Sequence, residues 1–301
     1  MYYIELADSE NIAKYRNISP DIASLLSQYT DADFDYCAAI AFFPGQAVGV
    51  ALARDLSYKG RWEFSWLFVL PKFRRLGIAR ALAAQLEQAV SARQGSLLFM
   101  TFRPDTPYGE SVRPLLESTG YELHDQTVQI YRTKARDLTE NIGWIREYAL
   151  NELYGQDEIR LGEYELFKWR LLNDADVKYL EEHKGTEYPL WAYPLNGQKY
   201  LLQDMSIGIR RLGKVIGWVL TGQDAPDVLR FSISFMQEQY RGSPLFLMAY
   251  ATILQLQVKA DIPYMTTSIL SGNKQLLSFI ENAFGNKIEC DYHEIRMIKN
   301  L

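Results

Sequence analysis

Three landmarks of the first half of the chain, a helix-capping residue and two glycines, recur in the second half. The same number of residues separates the members of each pair: Asp8 and Asn173, Gly77 and Gly242, Gly120 and Gly285. The glycine-bounded turn at 45–49 recurs at 213–217, with nearly the same separation. A period this long is typical of duplicated domains, because the repeat units of solenoids are far shorter. The repeat therefore predicts two copies of one fold, for which 301 residues are sufficient.

The expected order of elements in the first copy is a series of strands interrupted by helices. The expected strands are 2–6, 36–43, 47–56, 61–70 and 97–102, followed by a closing hairpin of 121–124 with 127–133. The expected helices are segments between Asp8 and about Tyr29, then 77–92 and 109–119. We predict domain boundaries of 1–133 and 164–301, with a linker helix over 134–163.

The stretch 64–90 has the pattern of a buried strand, a short turn and an amphipathic helix. The first-turn amides of a helix have no carbonyl partners in the helix and lie at its positive end, so they attract anions. Gly77 lets an anion approach the backbone closely. Three arginines add positive charge: Arg74, Arg75 and Arg80. The turn predicts a phosphate site, and the alternative is a solvated basic turn.

This turn resembles the acetyl-CoA motif of the GNAT N-acetyltransferase superfamily. The motif reads Arg/Gln-x-x-Gly-x-Gly/Ala after a Val-x-Pro strand end, and its residues here are Val69, Pro71, Arg74, Gly77 and Ala79. The resemblance implies acetyl-CoA as co-substrate, with its pyrophosphate on the amides of the turn and its pantetheine arm beside the strand. The residues implied to bind it are Phe68, Val69, Arg74, Arg75, Leu76, Gly77, Ile78, Ala79 and Arg80.

The resemblance also implies the fold. Each GNAT domain is a mixed, mostly antiparallel sheet flanked by helices, so the expected class is α+β with two tandem GNAT folds. In the second copy, the offset that relates Gly77 to Gly242 aligns residues 239–244 with the motif at 74–79. Pro244 then replaces the small residue Ala79 and removes an amide donor. We predict that the first copy is active and that the second is degenerate for acetyl-CoA.

Acyl transfer to an amine needs a group that takes the amine proton. Glu63 is the predicted base, because it matches the place of the general-base glutamate in histone-acetylating GNAT members. The alternative is a strand-end carboxylate that faces water beside Arg61, and the second copy has Val228 at the aligned position. Many GNAT enzymes carry a tyrosine where this chain has Leu116, so the acid for the leaving group is unassigned. Two tyrosines are substitutes: Tyr108 and Tyr131.

Charge and composition argue against several classes of protein. A net charge of −5 disfavours nucleic-acid binding, which needs a basic surface. Three histidines and the distant pair Cys37 and Cys290 form no Cys/His cluster, so we expect no metal site. Residues 1–8 lack the features of a signal peptide, and no apolar run is as long as a membrane span. We expect a cytoplasmic protein.

Two classes of function follow. The first is transfer of an acetyl group from acetyl-CoA to a primary amine of a small-molecule or peptide acceptor, through direct attack in the first domain. The alternative is a non-catalytic acyl-CoA-binding or interaction protein with decayed sites. The sequence leaves the acceptor and the oligomeric state open.

Overall fold

A computed structural model describes residues 1–8, 35–56, 60–195, 198 and 201–301. The helical segments expected before Tyr29 lie outside these described residues. The chain forms two compact units, and the two are not consecutive in sequence. The first unit combines Met1–Val128 with His293–Leu301, and the second consists of Gln129–Tyr292.

The strands and helices of the described residues follow, with their bounds. The strands are β1 (Tyr3–Asp8), β2 (Tyr36–Phe43), β3 (Gln46–Asp55), β4 (Arg61–Val69), β5 (Leu97–Phe102), β6 (Glu122–Leu123), β7 (Val128–Lys134), β8 (Glu158–Leu161), β9 (Tyr164–Lys168), β10 (Ile207–Arg211), β11 (Lys214–Ala225), β12 (Val228–Met236), β13 (Tyr264–Leu270) and β14 (Glu289–Asn300). The helices are α1 (Ile78–Ala92), α2 (Pro107–Ser118), α3 (Ala135–Asn141), α4 (Gly143–Tyr148), α5 (Asp174–Glu182), α6 (Leu245–Lys259) and α7 (Lys274–Phe284).

The sheet of the first unit has the strand order β1-β2-β3-β4-β5-β14. Its neighbours are antiparallel except for the central pair β4 and β5, which is parallel. The apolar stripe of α1, formed by Ile78, Leu82, Leu86 and Val90, packs on one face of this sheet. The class is the expected α+β.

The strand that completes this sheet comes from the end of the chain. Residues Ile295–Asn300 of β14 pair with β5, and β6 also pairs with β14. The predicted hairpin of 121–124 with 127–133 is therefore wrong, since β7 lies beside β13 in the second unit. Alternating apolar residues mark a strand but do not specify its partner. The predicted boundaries followed the order of the chain, whereas the compact units follow strand pairing.

The sheet of the second unit has the strand order β7-β13-β12-β11-β10-β9-β8, and β12 and β13 are its parallel central pair. The predicted linker helix over 134–163 is instead α3, α4, a short 3-10 helix and β8. Buried residues of this stretch belong to the core around α6: Ala135, Leu138, Ile145 and Leu153.

Equivalent elements of the two units start at a constant offset along the chain. This holds for β4 and β12, which start at Arg61 and Val228, and for α1 and α6, which start at Ile78 and Leu245. Both β4 and β12 have an irregular register at a serine, Ser65 and Ser232. The duplication is thus confirmed, but the glycine-based alignment is out of register around the motif. In the structure Gly77 corresponds to Pro244, and Glu63 corresponds to Arg230 rather than to Val228.

The C-terminal strand is fixed to the first unit by a part-buried ion pair. Lys299 Nζ donates to Glu87 Oε2 of α1 at 2.6 Å and to the carbonyl of Thr119 at 2.7 Å. The two charged side chains are 24% and 15% exposed, so removing one leaves a poorly solvated charge.

We expect Lys299→Met to lower the free energy of unfolding by about 2 kcal/mol, because it leaves the part-buried Glu87 carboxylate without its ion-pair partner. Urea denaturation followed by circular dichroism measures this change. Lys178→Met is the matched control, since Lys178 forms an exposed pair with Glu182 at 3.8 Å, and it should have little effect. Equal losses for the two variants would contradict this account.

Candidate active site

The loop between β4 and α1 presents a concave row of main-chain amides. After a 3-10 turn at Pro71–Phe73, Arg75 adopts φ 63° and Gly77 adopts φ 79° as the N-cap of α1. Left-handed residues in such a loop turn successive N–H groups to one side, which is the geometry of an anion-binding nest. Gly77 is suited to this place because a Cβ is strained at positive φ.

The predicted arginines have different roles in this loop. Arg74 Nε donates to the carbonyl of Val69 at 3.0 Å, which fixes the loop to the end of β4. Arg80 donates to Ser118 Oγ at 3.1 Å and so joins α1 to the end of α2. Arg75 has no ion-pair partner in the part of the chain that the structure describes. Its charge adds to the positive end of α1.

The remaining predicted residues divide between loop surface and core. Leu76 is 55% exposed at the tip of the loop, whereas Ile78 is buried in the core under α1. Ala79 is part-buried beside the same core. Leu76 therefore contributes its main chain to the loop, and Ala79 contributes a small side chain. Ile78 anchors the helix that follows.

A gap opens between the two central strands next to this loop. The described strands β4 and β5 pair from Arg61–Leu97 to Glu63–Phe99 and separate beyond that point. Leu70 N donates to Val48 O of β3, so by alternation the amides of Leu67 and Val69 point away from β3, into the gap. Phe68 and Val69 thus lie on one edge of the opening, with main-chain donors facing it.

Tyr108 borders the same gap from α2. Thr106 caps that helix by accepting from Gly109 N at 3.1 Å, which places Tyr108 in its first turn. The Tyr108 hydroxyl lies 3.8 Å from Met100 Sδ of β5 and is hydrogen-bonded by the main chain of Leu67. Burial raises the pKa of Tyr108 to about 12, although 38% of the residue is exposed. The phenol therefore stays protonated at neutral pH.

The other two positions considered for the acid have different surroundings. Leu116, at the usual tyrosine position, is fully buried in the core of the first unit. Tyr131 belongs to the second unit, where it donates to Gln129 Oε1 at 2.7 Å. Tyr108 borders the opening from the start of α2, whereas the usual tyrosine position lies near the end of that helix.

Glu63 stands at the last paired position before the strands separate. Its carboxylate forms an ion pair with Arg54 of β3, its cross-strand neighbour, and its side chain is 22% exposed. Neighbours of this pair in sequence, Ala53 and Trp62, face the core under α1, so Glu63 and Arg54 point to the opposite face of the sheet. Glu63 thus has a charged partner, and its side chain is only partly exposed to solvent.

Comparisons with known proteins agree with this geometry. Residues 4–108 match the acetyltransferase (GNAT) family. A tandem GNAT protein from the clavulanic acid biosynthesis pathway, solved without AcCoA, aligns over 99% of this chain and 98% of its own, with TM-score 0.65 and 13% identity. The chain therefore has the tandem GNAT fold. No curated protein sequence matches it.

Two further solved structures share this tandem GNAT fold. A GCN5-related N-acetyltransferase from Sphaerobacter thermophilus aligns over 99% of this chain and 95% of its own, with TM-score 0.60 and 11% identity. A glucosamine N-acetyltransferase region of a fungal multi-domain β-N-acetylglucosaminidase aligns over 99% of this chain and 38% of its own, with TM-score 0.64 and 10% identity.

The second unit keeps the arginine contact that fixes its loop but lacks the nest of amides. Arg241 Nε donates to Met236 O at 3.2 Å, as Arg74 does to Val69. Pro244, however, stands at the N-cap with φ −70° where the first unit has Gly77. Gly242 has no positive φ and so does not replace that glycine.

Aromatic side chains fill the gap of the second unit. Phe246, Tyr250 and Phe279 stand where the first unit has Ala79, Ala83 and Val112. The Tyr250 hydroxyl lies 2.6 Å from Ser234 Oγ, and its ring stacks on Phe231 with centroids 5.1 Å apart. Phe246 and Phe279 pack against the same ring. Three small or slender residues of the first unit are thus replaced by bulky rings over the parallel strands.

Two negative findings apply to the described residues. They contain no group of three or more His, Cys, Asp or Glu side chains that could hold a metal ion. None of their helices combines the length and the apolar character that crossing a membrane requires.

We expect Tyr250→Ala to lower the free energy of unfolding by about 3 kcal/mol, because it empties a site packed by aromatic rings. Tyr108→Ala should cost less than half as much, since Tyr108 borders an opening. Urea denaturation of the two variants gives the comparison. Similar losses would mean that the two gaps are equally filled.

Proposed function

We propose that the first unit is an acetyl-CoA-dependent N-acetyltransferase that acts on a primary amine by direct attack. The observation that carries this proposal is the pairing of a glycine-capped nest of amides with an open gap between β4 and β5. The family match over residues 4–108 and the tandem GNAT fold support an acyltransferase in general. Acetyl as the acyl group and an amine as the acceptor are our own extension.

In this proposal the loop holds the pyrophosphate and the strand edge holds the pantetheine arm. The amides from Arg75 to Arg80 supply donors at the positive end of α1, and Arg75 supplies a full charge. The outward N–H of Val69 and its neighbours supplies main-chain partners for the amide groups of the arm. The small side chain of Ala79 leaves room for it.

Three groups around the gap have roles in the proposed reaction. Glu63 takes a proton from the acceptor amine, whose nitrogen then bonds to the thioester carbon. The Leu67 N–H, which donates to the Tyr108 hydroxyl in the structure, turns to the carbonyl oxygen and stabilises the negative charge that develops there. The carbon–sulfur bond breaks as Tyr108 gives its proton to the departing sulfur. The products are an amide and a free thiol, and solvent restores both side chains.

The second unit is, in our proposal, a copy that no longer binds the coenzyme. Pro244 removes one amide donor and the positive φ that the nest requires. Arg230 replaces the base and pairs with Asp224 at 3.4 Å. The rings of Phe246 and Tyr250 occupy the place where the arm would lie.

One observation favours a second candidate function. The Glu63 carboxylate is already paired with Arg54, which suits a structural role as well as a catalytic one. On this alternative, the protein binds acyl-CoA without transferring the acyl group.

We expect Gly77→Ala to weaken acetyl-CoA binding about tenfold, because a Cβ at φ 79° distorts the nest. Gly242→Ala is the matched control, since its Cβ would meet open space at an ordinary φ, and it should leave binding unchanged. Isothermal titration calorimetry gives both constants. Loss of binding in the control alone would move the coenzyme site to the second unit.

We expect Tyr108→Phe to lower kcat about 100-fold with little change in KM for acetyl-CoA, because it removes a proton donor but not the binding site. In the wild type, the raised pKa of about 12 keeps this acid protonated, so loss of its proton should not lower kcat between pH 7 and 10. Thiol release over a panel of amines measures this.

Glu63→Gln separates the two candidate functions. We expect it to abolish most turnover while acetyl-CoA still binds, because the amide cannot take the amine proton. If the wild type binds acetyl-CoA but releases thiol with no amine in the panel, the non-catalytic alternative stands and the enzyme proposal fails.

A further inference from the structure

Beside the proposed reaction centre, the C-terminal strand of the chain carries a part-buried arginine. Arg296 of β14 pairs across the sheet with Thr101 of β5. Its Nε donates to Thr101 Oγ1 at 3.2 Å, and its guanidinium lies over the ring of Phe99, 4.7 Å from the centroid. In the described part of the chain, no carboxylate lies within ion-pair distance of this guanidinium.

This guanidinium lies on the face of the sheet that carries Glu63. Met100 and Met297 face the core under α1, so their neighbours Thr101 and Arg296 point to the opposite face. Phe99, under the guanidinium, is the residue that pairs directly with Glu63. Arg296 is therefore on the strand next to β5, which forms one edge of the gap, and its guanidinium lies over the ring of the residue that pairs with Glu63.

The charges around Arg296 favour the binding of an anion. Burial lowers the pKa of Arg296, and the nearby charge of Arg61 lowers it further, while Glu63 and Glu294 oppose this shift. The carboxylate at the gap, that of Glu63, is already neutralised by Arg54. A part-buried guanidinium without a counter-ion is unfavourable for the fold, so an anion that binds it gains a strong, charge-assisted hydrogen bond.

We propose that Arg296 binds the carboxylate of the acceptor, and that the acceptor is an amino acid whose carboxylate lies close to the reacting amine. This inference rests on the proposed function, because it names the substrate class of the same site. A carboxylate on Arg296 directs the α-amine across Phe99 toward Glu63 and the adjoining gap. Polyamines and other polycations lack the group that this arginine recognises and meet three arginines beside the gap: Arg54, Arg61 and Arg296.

Paired probes that differ by the carboxylate alone test this inference: L-lysine against cadaverine and L-phenylalanine against phenethylamine. Calorimetry on the full chain saturated with coenzyme A measures binding, and thiol release from acetyl-CoA measures turnover. We expect the wild type to bind the amino acid of each pair at least tenfold more tightly than its decarboxylated partner. Arg296→Met should abolish this preference, and Arg296→Lys should restore part of it.

The controls separate a specific role from a general loss of structure. Arg113→Met removes an exposed arginine of α2 that pairs with Glu117 at 2.9 Å, and it should preserve the preference. Acetyl-CoA affinity and the melting temperature should be similar in all variants. A preference for the decarboxylated probes, no binding of either amino acid, or an unchanged preference in Arg296→Met would each overturn the inference.

The same measurements distinguish this inference from the proposed function. Carboxylate-dependent binding that needs Arg296, without thiol release from any probe, would retain the anion site and reject the transferase. Thiol release that is equally fast with and without the carboxylate would retain the transferase and reject the anion site.

Discussion

Strands β4 and β5 share a parallel ladder over three residue pairs, and beyond Glu63 and Phe99 their main-chain groups face a gap. Main-chain N–H and C=O groups away from water need partners, so such a gap must be filled by side chains or by a bound molecule. In the first unit Tyr108 borders this gap. The second unit covers the corresponding strands with Tyr250 and its aromatic neighbours. The same strand geometry is thus bordered by Tyr108 in the first unit and covered by aromatic rings in the second.

The two loops separate what the fold needs from what a ligand needs. An arginine that binds the carbonyl at the end of the preceding strand is present in both units, as Arg74 and Arg241. That contact fixes the loop and is useful with or without a coenzyme. The left-handed glycine has no such structural benefit, since a helix also begins well after Pro244. This glycine is present at position 77 and absent from the equivalent position 244, as expected if the anion site is in the first unit.

Residues from both ends of the chain meet in the first unit. Residues 293–301 complete its sheet, and Lys299 and Arg296 come with them. Lys299 stabilises this unit through its hydrogen bonds to Glu87 and to the end of α2. Arg296 has no ion pair in the described residues and faces the same side as Glu63. Strand β14 therefore supplies the first unit with both a structural contact and a charge beside the gap.

The sequence by itself determined the α+β class, the duplication and the loop that starts with Arg74, because hydrophobic periodicity and a glycine at a helix start are local signals. The tertiary structure decided which strand completes which sheet, since alternating strands carry no label for their partners. It also corrected the match of Gly77 from Gly242 to Pro244, because backbone conformation rather than residue type defines equivalence. Tyr108 was one of two tyrosines that the sequence offered, and the structure placed it at the gap, whereas Arg296 emerged from the structure alone. Their importance depends on distances across strands and helices, which are fixed by packing and leave no spacing in the sequence.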